Sequence, residues 1–262
     1  EEKARLCIEI AINENSFVNK QEKNISIYIG MPFCPTRCAY CSFASNPIAS
    51  CSKLVEPYLE ALKKEIEAIH SYIDNMALKV ETVYFGGGTP TSVNNEQFHA
   101  IMKAIYENFI ADKGVKEFTV ECGRPDSITD SKLNTMREFK VDRISINPQS
   151  MRDETLKRIG RLHDSKLIIE VYNRARALGF NNINMDIIVG LPGEGLEDVK
   201  YTCSQLKNLE PESITVHGMS IKRASRIHEN LVLNNGMTIP EQVELNSMYE
   251  ETRNLARELN MK

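Results

Sequence analysis

The fold is decided by the stretch Tyr28-Ile-Gly-Met-Pro-Phe-Cys34-Pro-Thr-Arg-Cys38-Ala-Tyr-Cys41-Ser-Phe43, which holds three cysteines in a C-x3-C-x2-C spacing. A short run rich in β-branched residues, Ile25 to Ile29, leads into it, and a segment with helical apolar spacing follows it. This order predicts a strand, a long cysteine loop and a helix, which together make one βα unit.

Further βα units follow along the chain, because short apolar runs alternate with amphipathic stretches. We expect six strands: Ile25 to Ile29, Glu81 to Phe85, Lys116 to Glu121, Arg143 to Ile146, Ile183 to Val189 and Ser213 to Val216. The first long helix is expected to bury Val55, Leu59, Leu62, Ile66 and Ile69. The fold class is therefore α/β with a parallel sheet, arranged either as a partial barrel or as an open doubly wound sheet.

Composition and charge restrict the function classes. The 262 residues carry a net charge of −4, which argues against a nucleic-acid backbone as the main partner. No apolar run is long enough to cross a membrane and no signal-peptide pattern begins the chain, so we expect a cytoplasmic protein without membrane association. Seven cysteines, three of them packed together, indicate a thiolate metal site in a reducing compartment rather than disulfides.

The three clustered cysteines are best explained as ligands of a [4Fe-4S] cluster. Three protein thiolates leave one of four irons open, and the amino and carboxylate groups of S-adenosylmethionine (SAM) can occupy that iron. The alternatives are a zinc site, which normally needs four protein ligands, and three unrelated cysteines.

Other candidate residues follow predicted strands, so they should share one edge of the sheet. The turn Gly86-Gly87-Gly88-Thr89-Pro90 lets backbone approach a ligand, although glycines also serve ordinary turns. Glu121 and Asp186 are either buried carboxylates satisfied by backbone groups or by Arg143 or Arg161, or acceptors for the ribose or adenine of SAM. The sequence leaves both interpretations open.

Four ordered motifs resemble the radical SAM family of oxygen-independent coproporphyrinogen III oxidases (dehydrogenases). They are the cysteine loop, the GGGTP turn, the strand Arg143-Ile-Ser-Ile-Asn-Pro-Gln149, and Asp186 with Gly190-Leu-Pro-Gly193. Its coproporphyrinogen dehydrogenase-like bacterial branch is resembled by two further stretches, Glu121-Cys-Gly-Arg-Pro-Asp126 and His217-Gly-Met-Ser-Ile-Lys-Arg-Ala-Ser225. The resemblance implies an incomplete (β/α)6 barrel. It also implies a radical SAM core domain over residues 25–262, a connecting segment over residues 1–24, and a family C-terminal region that is absent here.

The resemblance also implies roles for individual residues. Tyr28 matches a tyrosine near the cluster and SAM, and it is expected to act in catalysis with the ligands Cys34, Cys38 and Cys41. The implied SAM-binding residues are Tyr28, Gly87, Gly88, Thr89, Glu121, Gln149, Arg161 and Asp186.

The implied reaction is oxidative decarboxylation of coproporphyrinogen III to protoporphyrinogen IX in haem biosynthesis, with a reductant such as flavodoxin or ferredoxin. Reductive cleavage of SAM would give a 5′-deoxyadenosyl radical that removes a substrate hydrogen. Arg124, Lys222 and Arg223 are either cations for the substrate carboxylates or solvated surface charges, and His217 is a further candidate. A haem-binding chaperone, or another radical SAM reaction on a tetrapyrrole, remains an alternative.

The sequence departs from the family pattern in three places. Phe43 stands where the oxidases have a fourth cysteine, as in the haem-chaperone relatives, and Gly30 replaces a common histidine. The chain also ends at Lys262, before the family's C-terminal region, so we expect substrate turnover to need parts beyond this chain. Cys122 should point away from the SAM site, because successive strand residues alternate between faces.

Overall fold

A computed structural model of the protein describes residues 2–17, 23–43, 45–223, 225–232 and 238–261. Its strands are β1 (Asn24–Met31), β2 (Phe33–Cys34), β3 (Asn46–Pro47), β4 (Lys79–Gly87), β5 (Glu117–Glu121), β6 (Arg143–Ser145), β7 (Ile183–Val189) and β8 (Ser213–Gly218). The six longer strands are those predicted from the sequence, with bounds that differ by at most two residues. The short β2–β3 pair, which folds the cysteine loop back on itself, was not predicted.

The helices of the described residues lie mostly between the strands. They are α1 (Glu2–Phe17), α2 (Ile48–Asn75), α3 (Asn95–Ile105), α4 (Asp130–Glu138), α5 (Asp153–Arg158), α6 (Ser165–Ala177), α7 (Leu196–Leu209), α8 (Arg226–Val232) and α9 (Gln242–Glu258). Local sequence sets their ends. At α3, for example, Asn94 and Gln97 form a reciprocal capping box, with Gln97 N–H donating to Asn94 Oδ1 at 2.8 Å.

The main sheet is parallel throughout and follows chain order, β1-β4-β5-β6-β7-β8. A doubly wound sheet would reverse its strand order partway, whereas a barrel adds each strand beside the last. Within the described residues no ladder joins β1 to β8, so the barrel is open. The expected incomplete (β/α)6 barrel is confirmed.

The first long helix buries most of its expected face. Val55, Leu59, Leu62 and Ile66 are buried, but Ile69 is 39% exposed, and Ile73 is buried instead. The prediction for Ile69 was wrong because each residue turns the helix by about 100°, which puts this side chain about 60° from Ile66, at the edge of the apolar stripe.

The two faces of the sheet differ in polarity. Side chains on the outer face, such as Phe85, Phe118, Val120 and Met185, have almost no exposure and form one core with the helices. The alternate positions point into the barrel and are largely polar, as in the glutamate, threonine and glutamate at 117, 119 and 121. The barrel interior is therefore a polar space that is open for a ligand.

Most of the predicted connecting segment lies within the described residues. The described part of the predicted connecting segment 1–24 forms α1 and the start of β1, while residues 1 and 18–22 lie outside the described residues. The division into segment and core stays a prediction. Across the described ranges, no helix is both long and apolar enough to cross a lipid bilayer.

Candidate functional site

A cavity of about 720 Å³ occupies the barrel interior and the carboxyl ends of the strands. It is where the candidate residues meet. Of the residues predicted to hold the cluster or SAM, the cavity is lined by Cys34, Cys38, Cys41, Gly87, Gly88, Thr89, Glu121, Gln149, Arg161 and Asp186. Since these positions come from several separate strands and loops, the fold brings together groups that are far apart in sequence.

The cysteine loop is held in place over this cavity by backbone contacts. Ala39 N–H donates to the carbonyl of Ile159 at 2.9 Å, and Thr36 Oγ1 donates to the carbonyl of Gly160 at 3.0 Å. Asn46 N–H donates to the Pro32 carbonyl at 2.8 Å, which closes the loop at its base. The loop is thus tied both to the segment after α5 and to its own stem.

Two of the three cysteines lie next to a side-chain hydroxyl. Cys34 Sγ lies 3.3 Å from Thr89 Oγ1, and Cys41 Sγ lies 3.5 Å from Ser45 Oγ. Burial raises the pKa of the Cys34 thiol to about 11, so a bound metal must supply the free energy for its ionisation. Among the described residues, no three Cys, His, Asp or Glu side chains are grouped for a single metal ion. Three thiols lining one cavity suit a larger cluster with three separately bound irons.

The glycine turn passes close to the cysteine loop. Gly87 has φ +104°, and a Cβ on Gly88 would lie 2.6 Å from the Phe33 carbonyl oxygen and 3.1 Å from Cys34 Sγ. Only glycine permits this approach. The backbone of this turn is therefore exposed to whatever occupies the cavity beside the cysteines.

Glu121 and Asp186 lie at the polar side of the cavity with His217. Burial and the nearby Asp186 carboxylate raise the pKa of Glu121 to about 7, although a hydrogen bond from Gly87 N–H opposes the shift. Asn147 Nδ2 donates to Asp186 Oδ2 at 2.9 Å, and His217 Nε2 lies 3.6 Å from the same oxygen. The Asp186 carboxylate raises the pKa of His217.

In the described residues neither carboxylate pairs with an arginine, but Glu121 accepts a backbone hydrogen bond from Gly87 N–H, so only the arginine part of the structural interpretation was wrong. Arg143 donates to Ser213 Oγ at 2.9 Å, and Arg161 donates to the carbonyl of Asn147 at 2.6 Å and to the Tyr40 hydroxyl at 3.2 Å. Asparagine side chains and His217 satisfy Asp186 instead. Both carboxylate side chains line the cavity.

Gln149 has a strained backbone and an unsatisfied side chain. Its φ of +66° lies in the left-handed region. Its backbone N–H donates to the Asp186 carbonyl at 2.9 Å, and its carbonyl accepts from Ile188 N–H at 3.0 Å. Its Oε1 is buried without a hydrogen-bond partner in the described part of the chain, as is Ser145 Oγ. Both residues line the cavity, and orphaned buried polar atoms in such residues indicate a ligand that completes them, so these residues fit a bound polar cofactor.

Tyr28 is placed differently from the other candidates. It is 65% exposed, lies within β1 rather than at its end, and is not among the residues that line the cavity. Its ring stacks on Tyr84, which does line the cavity, with centroids 5.8 Å apart. Any contact of Tyr28 with a ligand stays a prediction.

The proposed substrate cations differ from one another. Arg124 lines the cavity, but it is only 3% exposed and forms an ion pair with Asp126, so it is not a solvated surface charge, and a role toward the substrate stays a prediction. Lys222 is exposed and lines the cavity, whereas Arg223 is exposed and does not. Position after a strand does not tell whether a side chain turns inward, so the sequence alone could not separate Arg223 from the other two.

Several residues of the site were missed by sequence reasoning. Tyr40, Tyr84 and Asn147 line the cavity and bond to candidate residues, but nothing in their spacing distinguishes them from core or turn residues. Cys122, as expected, turns away: it is fully buried and its Sγ contacts Met136 Sδ at 3.5 Å.

Comparisons with known proteins add to this geometry. The model of the radical SAM superfamily matches residues 28–206. The chain is 47% identical over 206 residues to the oxygen-independent coproporphyrinogen-III oxidase-like protein HemZ of Bacillus subtilis, which covers 79% of this chain and 41% of that protein. It is 33% identical over 225 residues to the heme chaperone HemW of Bacillus subtilis, covering 86% and 58% of the two chains.

The same relationship appears in solved structures. Coproporphyrinogen III oxidase HemN from Escherichia coli, a radical SAM enzyme, superimposes with a TM-score of 0.77 at 25% identity, over 91% of this chain and 53% of that chain. The chain thus spans about half the length of the relatives it matches, between 41% and 58% in these three cases.

Proposed function

Because the chain belongs to the radical SAM superfamily, whose cofactors are a [4Fe-4S] cluster and SAM, we propose that it is an oxidoreductase acting on a tetrapyrrole. The specific reaction proposed is the oxygen-independent oxidative decarboxylation of coproporphyrinogen III to protoporphyrinogen IX. The observation that supports it is the single cavity lined by ten of the predicted cofactor residues. The 47% identity to an oxidase-like relative supports the choice of substrate.

Each residue group has a distinct task in this proposal. Cys34, Cys38 and Cys41 hold the cluster, and the backbone of the turn at Gly87 and Gly88 contacts the methionine part of SAM. When both cofactors are bound, they supply one-electron cleavage of SAM and a radical that removes a hydrogen atom.

The remaining SAM-site residues orient the nucleoside. Glu121 and Asp186 accept hydrogen bonds from the ribose or adenine, and Gln149 Oε1 gains the partner that it lacks among the described residues. Ionised Glu121 is the better acceptor, so a donor at this position favours loss of its proton near neutral pH.

The surroundings of the site support a substrate with several carboxylates and an external reductant. Lys222 lies exposed on the cavity lining and can pair with a propionate. We propose flavodoxin or ferredoxin as the electron donor. A reducing cytoplasmic location agrees with seven cysteines that are all free thiols.

A haem chaperone is the second candidate function. Phe43 follows the last cysteine, is 77% exposed and lines the cavity, so an apolar ring is available to a flat macrocycle. The 33% identity to a heme chaperone favours the same interpretation.

The first test is SAM cleavage by this chain. The protein is reconstituted anaerobically with iron and sulfide and reduced with dithionite, and 5′-deoxyadenosine is measured with Cys38→Ala as the control. We expect deoxyadenosine from the wild type only. Coproporphyrinogen III is then added, and protoporphyrinogen is measured after oxidation to its fluorescent porphyrin.

The possible outcomes distinguish the two candidates. Product from coproporphyrinogen supports the oxidase. A loaded cluster that leaves SAM intact, together with stoichiometric haem binding, supports the chaperone and contradicts the oxidase. Absence of a cluster in the wild type would contradict both.

A further inference from the structure

Arg124 is a buried cation next to one cluster cysteine. Its side chain is 3% exposed, and Nη1 donates to the Thr36 carbonyl at 3.1 Å, to Thr36 Oγ1 at 3.0 Å and to Cys38 Sγ at 3.6 Å. This guanidinium therefore reaches from the loop after β5 across to the middle of the cysteine loop.

The side chain of Arg124 is held in position by Asp126. Its Nε and Nη2 donate to the two oxygens of Asp126 at 3.0 and 2.8 Å, a bidentate pair. Asp126 also contacts His163 Nδ1 at 3.2 Å, and the His163 side chain has no exposure. Hydrogen bonds from His163 and Arg124 outweigh burial and hold the pKa of Asp126 below its usual range. The pair therefore stays ionised.

The three cysteines differ in charge environment. Cys34 and Cys41 have neutral hydroxyl neighbours, Thr89 and Ser45. Cys38 has the Arg124 guanidinium, and also lies beside the Tyr40 hydroxyl. Among the described residues, Cys38 is the only one of the three cysteines in direct contact with a positively charged side chain.

We propose that Arg124 is a positioning residue that sets the reduction potential of the cluster through Cys38. A fixed cation near a thiolate ligand stabilises the more negative, reduced cluster, and hydrogen bonds to cluster sulfurs act in the same direction. Asp126 holds the guanidinium in place and also offsets part of its charge. The inference concerns the cluster alone, so it applies to either proposed function.

The test is the midpoint potential of the reconstituted cluster, followed by the electron paramagnetic resonance of its reduced form. Arg124→Gln should make the reduction equilibrium roughly tenfold less favourable, which corresponds to a negative shift of about 59 mV for one electron. Arg124→Lys should shift it less. Asp126→Asn should shift it in the positive direction, because the cation loses its counter-charge.

The opposite signs of the two potential shifts distinguish an electrostatic effect of Arg124 from a purely structural one. If Arg124 only holds the loop, Arg124→Gln and Asp126→Asn break the same ion pair and shift the potential alike, and the proposal fails. An unchanged potential in both variants also overturns it. If Arg124→Gln retains no iron, the sign of the Asp126→Asn shift decides alone.

A matched control removes an arginine elsewhere. Arg176 pairs with Glu212 at 2.7 Å and donates to the carbonyls of Phe180 and Glu210, beside the amino ends of β7 and β8. Arg176→Gln should leave the potential unchanged, and a shift as large as that of Arg124→Gln would contradict the local charge effect.

Discussion

At the scale of single residues, the ionisation of Glu121 shows how the site is prepared for a ligand. Its carboxyl is largely removed from water and lies near Asp186, and its pKa is about 7 instead of the ordinary 4.5. Between these two pH values the folded chain holds a proton that the unfolded chain releases. Stability of the cofactor-free protein should therefore decrease as pH rises from about 4.5 to about 7.

Glu121→Gln removes this dependence. The variant should match the wild type near pH 5 and exceed its free energy of unfolding by about 2 to 3 kcal/mol at pH 8, since one pKa unit corresponds to about 1.4 kcal/mol. Urea unfolding at both pH values, with chelator present, measures it. Glu117→Gln on the same face of β5 is the control, and an equal gain there would contradict the explanation.

The sequence predicted the location of some site residues but not of others. Motif spacing located the cluster cysteines, the glycine turn and both carboxylates in one cavity. It could not locate Arg124, because the direction of a loop side chain depends on partners such as Thr36, which lies 88 residues away in the sequence. Long-range contacts of this kind have no local signature.

At the scale of elements, the glycine turn and the cysteine loop meet in a close backbone contact. Thr89 N–H donates to the Phe33 carbonyl at 2.8 Å, so the turn after β4 continues the pairing of β1 and β4. The strands themselves were predictable because their outer faces are apolar at every second position. The β2–β3 pair was not, because each strand has two residues and no periodicity.

Gly88→Ala should disrupt this contact. Its Cβ would meet the Phe33 and Met31 carbonyl oxygens at 2.6 and 2.9 Å, and overpacking of this kind typically costs about 1 to 3 kcal/mol. We expect a lower melting temperature and less iron after reconstitution. Gly30→Ala is the control, since its Cβ would meet only the Tyr28 ring at 3.7 Å. Equal losses in both variants would rule out the contact as the cause.

At the scale of the whole molecule, the open barrel leaves a polar interior that a ligand has to complete. The sequence predicted the number of strands, but their closure depends on strand order and curvature, which the resemblance supplied and spacing did not. Gln149 Oε1 and Ser145 Oγ stay buried without partners in the described chain. Filling the cavity should therefore stabilise the entire domain.

SAM should raise the melting temperature of the cluster-loaded protein. At a concentration about 100 times Kd the stabilisation is about 2.7 kcal/mol. For a domain of this size that corresponds to a shift of about 5 to 10 °C. Differential scanning fluorimetry under anaerobic conditions measures it. Cys38→Ala should show no shift, because the open iron is missing, and an equal shift there would mean that SAM binds elsewhere.

The left-handed backbone of Gln149 has a consequence for protein engineering. Glycine adopts this conformation without steric cost, so a library screened for thermal tolerance alone would favour glycine at this position. The replacement would remove the amide that faces the cavity. At position 149, stability therefore favours glycine, whereas ligand recognition favours glutamine. A screen that selects for SAM binding as well as thermal tolerance should retain glutamine.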